Sequence, residues 1–121
     1  MKKLLLFSIS ILAFSTSIFA QCSDLFFSEY IEGSSQNKGI EIYNPTTETI
    51  QLADYSVFQI VNGGTATNTF QLYDSIEPFG VIVITTDQAD SAGMRDVADT
   101  VLGFPSIVHF NGDDEIGRAH V

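Results

Sequence analysis

The turn-like segment Asn-Gly-Asp-Asp at residues 111–114 carries the residue types best suited to metal chemistry. Asp113 and Asp114 place two carboxylates beside a glycine, and Ca²⁺ prefers several oxygen ligands of this kind. Glu29 is a third weak candidate ligand. The spacing differs from the twelve-residue EF-hand loop, however, and adjacent residues of an extended chain point to opposite faces. A structural turn is therefore favoured, no cofactor is predicted, and Ca²⁺ stays the alternative.

Structural roles are predicted for Glu29 and for two further polar residues, Glu41 and Asn44. Glu29 lies on a strand face that is otherwise apolar, so it is predicted to be buried and to accept hydrogen bonds from a facing loop. Glu41 is predicted to be solvated or to pair with Lys38. Asn44 precedes Pro45, which predicts the end of a strand, with the asparagine side chain bonding to turn backbone groups.

No arrangement of nucleophile, base or metal ligands predicts catalysis. His109 and His120 do not form a metal pair, and His109 is expected in a strand beside Phe110. The chain has no G-x-S-x-G around a serine, no phosphate-binding glycine motif, and neither the HExxH nor the CxxC signature. We therefore predict no catalytic residues and no enzyme activity in this segment.

Residues 1–20 have the features of a secretory signal peptide. Lys2 and Lys3 form a charged start, and residues 4–14 form an apolar run too short to span a bilayer comfortably. Ala20 is the predicted cleavage point. The sequence thus predicts secretion or a cell-surface location, with no transmembrane helix after cleavage.

Charge and cysteine content limit the classes of function. The whole chain has a net charge of −10, and cleavage after residue 20 leaves three basic against fifteen acidic residues, a net charge of −12. Such a surface repels phosphate backbones, so direct nucleic-acid binding is not expected. Cys22 is the single cysteine, which excludes a disulfide within the chain. Gln21 before it does not suit a lipid-attachment motif.

Short apolar or alternating runs separated by turn residues predict strands along the rest of the chain. The continuous apolar run 81–86 predicts a central strand buried on both faces. Asn62-Gly63 predicts a tight turn, and residues 88–100 predict a loose helical connection. Strands at this spacing with one helical crossover predict an all-β fold, a β-sandwich. The predicted strands are 25–32, 39–44, 50–52, 55–61, 70–72, 81–86 and 107–110, with a loop at 33–38.

Residues 24–114 resemble the lamin-tail domain of bacterial secreted proteins. The resemblance rests on the order of four segments, which are SEYIEGSSQNKGIEIYNPT, LADYSV, VIVIT and HFNGDD. The resemblance implies an immunoglobulin-like β-sandwich over residues 21–114, acting as a binding or structural module with no catalytic residues. In bacteria such modules accompany secreted nucleases, phosphoesterases, adhesion modules and sorting signals. The matching positions are Glu29, Glu41, Tyr43, Asn44, Pro45, Asn111, Gly112, Asp113 and Asp114.

The C-terminal residues depart from this pattern. The last six, IGRAHV, are encoded by ATC GGA AGA GCA CAC GTC, which resembles a widely used short-read sequencing adapter. We expect residues 115–121 to be wholly or partly an artefact. In that case the natural gene continues, and the sandwich lacks its last strands.

The sequence favours a non-catalytic binding or structural module at the N-terminus of a larger secreted or cell-surface bacterial protein. Its expected partners are downstream domains of the same chain, a surface protein or a surface polymer, contacted through loops 33–38 and 62–69. The alternative is an accessory domain of a secreted nuclease or phosphoesterase. A third reading, a Ca²⁺-dependent adhesion domain, predicts that chelation lowers the melting temperature.

Overall fold

Residues 22–90 and 92–120 are described in a computed structural model. The predicted signal peptide lies outside these residues. Nine strands and one short helix follow in chain order. They are β1 (Phe26–Glu32), β2 (Lys38–Tyr43), β3 (Ile50–Gln51), β4 (Tyr55–Ile60), β5 (Ala66–Gln71), β6 (Ser75–Ile76), β7 (Val81–Thr86), α1 (Ala92–Asp96), β8 (Thr100–Leu102) and β9 (Glu115–His120).

A four-stranded sheet forms one layer, in the order β1-β2-β7-β8. β2 pairs antiparallel with both β1 and β7, whereas β8 lies parallel to β7. A parallel pair needs a crossover connection, and α1 lies in that connection. The helical connection predicted for residues 88–100 is confirmed, but its helix is only five residues long.

A three-stranded sheet, β5-β4-β9, forms the other layer, and β3 and β6 make a separate two-stranded sheet. The turn between β4 and β5 contains Asn62 and Gly63, both with positive φ, and the Gly64 N–H donates to the Val61 carbonyl. This is the geometry that an Asn-Gly hairpin turn adopts, so the turn prediction is confirmed. The all-β prediction is also confirmed.

The core lies between the sheets and draws on alternate residues of each strand. Ile40, Ile42 and Ile84 point inward from the four-stranded sheet, and Val57 points inward from the opposite layer. Because side chains of a strand alternate in direction, Glu41 and Val83 lie on the outer face of the four-stranded sheet. That outer face is where the candidate site lies.

The strand predicted at residues 107–110 is wrong. This segment is irregular, although Ile107, Val108 and Phe110 are almost fully buried. An apolar run indicates burial, and only a neighbouring strand edge turns it into a sheet strand. His109 accordingly lies in a turn, where its N–H donates to the carbonyl of Ser106.

The predicted central strand 81–86 has the right bounds and lies between two partners, but it is not buried throughout. Val81 is exposed, and only Ile84, Thr85 and Thr86 are buried. The predicted partner loops are also shorter than expected, because Lys38 belongs to β2 and residues 66–69 belong to β5.

Residues 115–120 form β9, which pairs with β4 from Glu115 opposite Ile60 to His120 opposite Tyr55. A strand thus follows residue 114 in this chain. The adapter origin of residues 115–121 stays a prediction. Among the described residues, no helix has the length and apolar character needed to cross a membrane.

Candidate binding surface

A shallow apolar depression of about 110 Å³ lies on the outer face of the four-stranded sheet, under α1. Ile31 on β1 and Val83 on β7 contribute apolar surface from the sheet, and Met94 and Val97 contribute it from α1 and the residues after it. Gly39 lies in close contact here, because a Cβ at this position would be 3.1 Å from the Ile84 carbonyl oxygen and 3.2 Å from the terminal methyl of Met94. Val97 is 66% exposed and Ile31 is 40% exposed, so solvent reaches this apolar surface.

Glu29 and Glu41 line the same depression. They are directly opposite each other across the β1–β2 pair. The Glu41 carboxylate accepts a hydrogen bond from the Ser28 hydroxyl at 2.6 Å. No hydrogen bond or ion pair connects the Glu29 carboxylate to another residue in the described part of the chain. Glu41 does not pair with Lys38, which instead lies 3.8 Å from Glu32.

The predicted burial of Glu29 is wrong, because its side chain is exposed. Strand alternation placed Glu29 on the inward face with Phe27, but a bulge shifts the register between these two residues. A bulge adds one residue to one strand, so the side chains beyond it change faces relative to those before it. Tyr30 therefore stacks on the buried Phe110 ring at 4.3 Å, and Glu29 points outward.

The three lysine and arginine side chains in the described part of the chain are engaged away from the depression. Lys38 is only 8% exposed and donates to the Phe110 carbonyl beneath the sheet. Arg95 donates to the Asp87 carbonyl at 3.4 Å. Arg118 forms an ion pair with Asp24 at 3.0 Å.

The segment 111–114 is a structural turn. The Asp114 carboxylate accepts from the Gln59 side chain at 2.9 Å, from the Asn111 N–H at 3.0 Å and from the Asn62 N–H at 3.1 Å. With its amide nitrogen turned toward Asp113, Asn62 also donates to that carboxylate at 2.8 Å. These bonds tie the turn to the β4–β5 hairpin.

The three predicted Ca²⁺ candidates do not form one site. Asp113 and Asp114 lie together in the turn before β9, whereas Glu29 lies on the outer face of β1. Within residues 22–90 and 92–120, no group of three or more histidine, cysteine, aspartate or glutamate side chains is arranged to hold a metal ion. The Ca²⁺ prediction therefore gains no support from the geometry.

His109 has hydrogen-bond partners on both ring nitrogens. Nδ1 lies 2.8 Å from the Ser106 hydroxyl and Nε2 lies 2.9 Å from the Thr86 hydroxyl. Burial lowers the pKa of His109 below its usual value, and the nearby charge of Asp87 only partly opposes this. In a catalytic triad, a carboxylate would bond to the ring nitrogen that here contacts Thr86. The cluster of Ser106, His109 and Thr86 therefore has a structural role and stabilises the turn.

A second polar cluster joins the N-terminal segment to β4 and β9. The Tyr55 hydroxyl donates to Asp24 at 2.7 Å, and the Tyr55 ring stacks on His120 with centroids 4.3 Å apart. Burial, the hydrogen bond to Asp24 and its charge raise the pKa of Tyr55 to about 12. The pKa of Asp24 is lowered overall. Burial acts to raise it, but the hydrogen bonds from Tyr55 and Leu25 and the charge of Arg118 together outweigh burial. These contacts hold the segment before β1 and the strand β9 against β4.

Asn44 has the structural role predicted for it. Its side chain is fully buried and donates to the carbonyls of Glu48, Ile76 and Glu77, at 2.8 to 3.1 Å. Its amide oxygen accepts from the N–H and the hydroxyl of Thr46. One side chain thus joins the end of β2 to the chain after β6.

Two further clefts, of about 240 and 420 Å³, lie on either side of Phe70 where β5 faces β8. The first is crossed by a 3.0 Å contact between the hydroxyls of Tyr73 and Thr100. At its edge, the Asp99 carboxylate accepts from the Val83 N–H at 2.7 Å. Because their polar groups are largely paired within the chain, these clefts are weaker candidates for a site than the outer depression.

The fold and these contacts define an immunoglobulin-like sandwich whose polar clusters are structural. A family model described as Lamin Tail Domain matches residues 19–117. The chain therefore belongs to the lamin-tail domain family, which is a family of non-catalytic, immunoglobulin-like domains. A search of curated proteins gave no match. The predicted membership of the lamin-tail family is confirmed, whereas the bacterial secreted type stays a prediction. The family is non-enzymatic, which is consistent with the predicted absence of catalytic residues in this segment.

No sequence signal marked the outer depression as one site. The sequence indicates Glu29 and Glu41 as separate residues, and it places Val97 in a helical connection. The pairing of β1 with β2 and the crossover through α1 bring these residues together. Residues 29, 41 and 97 are distant in the chain, so only the assembled sheet makes them neighbours.

Proposed function

We propose that this chain is a protein-binding module of a secreted or cell-surface bacterial protein, exported by residues 1–20. The N-terminal charge and apolar run support export. The non-catalytic character of the family supports a binding role over an enzymatic one. The proposed partner is another protein or a neighbouring domain, held on the outer face of the four-stranded sheet.

The observation that carries the proposal is the apolar depression between β1, β7 and α1. An exposed apolar patch on a small soluble domain marks a contact surface more often than scattered exposed residues do. Here Ile31, Val83 and Val97 line the same depression. The turn carboxylate of Asp114 and the imidazole of His109, by contrast, already bond to the chain itself.

Export is tested by expressing the full chain in a bacterial host and measuring the intact mass of the product outside the cytoplasm. We expect the mass of residues 21–121. A product that keeps residues 1–20 and stays in the cytoplasm contradicts the secreted location.

Binding is tested with a photoreactive phenylalanine analogue at Val97 and, as the control, at Phe104. Phe104 is 72% exposed but lies outside the depression. On cells of the source organism, we expect one discrete adduct from position 97, which Ile31→Asp abolishes, and none from position 104. Equal labelling at both positions, or an adduct that Ile31→Asp leaves unchanged, contradicts the proposal.

A further inference from the structure

Two carboxylates of equal charge lie directly opposite each other on the outer face of the sheet. Glu29 on β1 and Glu41 on β2 are register partners. Directly opposed residues of an antiparallel pair have Cβ atoms about 5 Å apart, and like charges there destabilise the sheet. The hydroxyl of Ser28 bonds to one of the two carboxylates, but it carries no charge to offset the pair.

The apolar depression beside these carboxylates gives a second, independent observation. Its walls are the side chains of Ile31, Val83, Met94 and Val97. A lysine or arginine side chain has an apolar stem and a cationic end, and it prefers to lay the stem on apolar surface while the end stays polar. A concave apolar surface bordered by two carboxylates is complementary to both parts.

The chain offers no cation of its own for this place among the residues described. Lys38 points to the opposite face of the sheet, where it contacts the Phe110 carbonyl. Arg95 bonds to the Asp87 carbonyl, and Arg118 pairs with Asp24 near β4. The complementary positive charge therefore has to come from a partner.

From this geometry we infer that the depression binds a lysine or arginine side chain on an extended segment of a partner protein. Glu29 and Glu41 bind the cationic end, and the surface of Ile31, Val83 and Val97 packs against the stem. The inference rests on the proposed binding function and adds the chemistry of the partner. Electrostatic complementarity of this kind supplies specificity and a faster association rate.

The first experiment titrates the ¹⁵N-labelled chain with the capped peptide Thr-Lys-Val-Lys-Thr at low ionic strength. We expect shifts of the amide signals of Glu29, Glu41 and Val83. The double variant Glu29→Gln/Glu41→Gln should raise Kd about tenfold, since it removes both charges from the site. This variant should remain folded, because it also removes the cross-strand repulsion.

The matched control is Glu48→Gln/Glu77→Gln. It removes the same two charges from exposed positions at the loop end of the sheet, outside the depression. We expect its Kd to remain that of the unchanged chain. Equal weakening by both double variants means that the peptide senses only the overall negative charge, which overturns the inference.

A second peptide, with norleucine in place of both lysines, separates this inference from the proposed function. If it binds the depression as tightly as the lysine peptide, the surface takes apolar segments without regard to charge. The binding function then stands and the cationic specificity fails. If neither peptide binds, the inference fails, and the crosslinking experiment at Val97 decides the binding function by itself.

Discussion

At the scale of single residues, the polar side chains of this domain mainly hold irregular chain in place. Asn44 satisfies carbonyls from two separate segments, and Asp114 accepts three N–H groups around the turn before β9. Buried polar groups are costly when unpaired and stabilising when fully bonded. Glu29 has no such role, because it lies exposed opposite another carboxylate.

Asn44→Ala should destabilise the fold by about 2 to 3 kcal/mol, because it removes the hydrogen bonds that a fully buried side chain makes to three carbonyls and leaves the Thr46 N–H without its acceptor. Urea unfolding followed by circular dichroism measures the change. Thr47→Ala, at an exposed position in the same loop, is the control and should change stability by less than about 0.5 kcal/mol. A small effect of Asn44→Ala would mean that water replaces the lost bonds.

His109 should make stability depend on pH around and below its ordinary pKa of 6.5. Its folded pKa is below the ordinary value of 6.5, so the unfolded chain binds more protons in this range. The stability contributed by neutral His109 is fully present above 6.5. It is lost as pH falls through 6.5 toward the folded pKa.

The measurement is the free energy of unfolding at several pH values for the unchanged chain and for His109→Gln. The unchanged chain should gain stability from pH 5 to 7 more steeply than the variant. Equal slopes for the two proteins would show that His109 contributes nothing to the pH dependence. Asp24, whose pKa is lowered from 3.8, affects the pH dependence of stability only in a separate and more acidic range.

At the scale of elements, β9 packs onto β4 through a glycine. Gly117 lies opposite Phe58, and a Cβ at position 117 would overlap the Phe58 ring. A side chain at position 117 therefore requires the ring to move. Phe58 is only partly buried, so the ring has room to rotate at a cost.

Gly117→Ala should lower the free energy of unfolding by about 1 to 2 kcal/mol, in the range of a small-to-large change at a tight contact. Gly112→Ala is the matched control, because a Cβ there meets nothing within 4 Å and its φ is not positive. Urea unfolding of the two variants gives the comparison. An equal response from both would mean that β9 does not pack on β4 in solution.

At the scale of the whole molecule, the dominant feature is negative charge. The fifteen acidic side chains lie at or after Asp24, where only Lys38, Arg95 and Arg118 oppose them. A high net charge keeps a protein soluble but destabilises the compact state by self-repulsion. It also attracts cationic partners, which agrees with the chemistry inferred for the outer depression.

Salt should therefore stabilise this domain. Raising NaCl from about 0.02 to 0.5 M shortens the screening length from roughly 20 Å to 4 Å and weakens the repulsion between surface carboxylates. We expect the melting temperature to rise, and to rise less for Glu29→Gln/Glu41→Gln than for the unchanged chain. A melting temperature that falls with added salt would show that the ion pairs of Lys38 and Arg118 outweigh the repulsion.

Sequence patterns were sufficient where the structure depends on local chemistry. Short apolar or alternating runs located β2, β4 and β7 closely, the Asn62-Gly63 pair located a hairpin turn, and Asn44-Pro45 located a strand end. These features depend on side-chain periodicity and backbone preferences that act over a few residues. For the same reason, the sequence by itself determined the all-β class and the family.

Only the tertiary structure decided which residues meet. The bulge in β1 reversed the predicted direction of Glu29, and the apolar segment 107–110 is buried irregular chain that pairs with no described strand. The depression exists because a crossover carries Val97 over β7, opposite two glutamates from other strands. Register, bulges and crossovers depend on contacts between distant parts of the chain, and a local pattern contains no record of them.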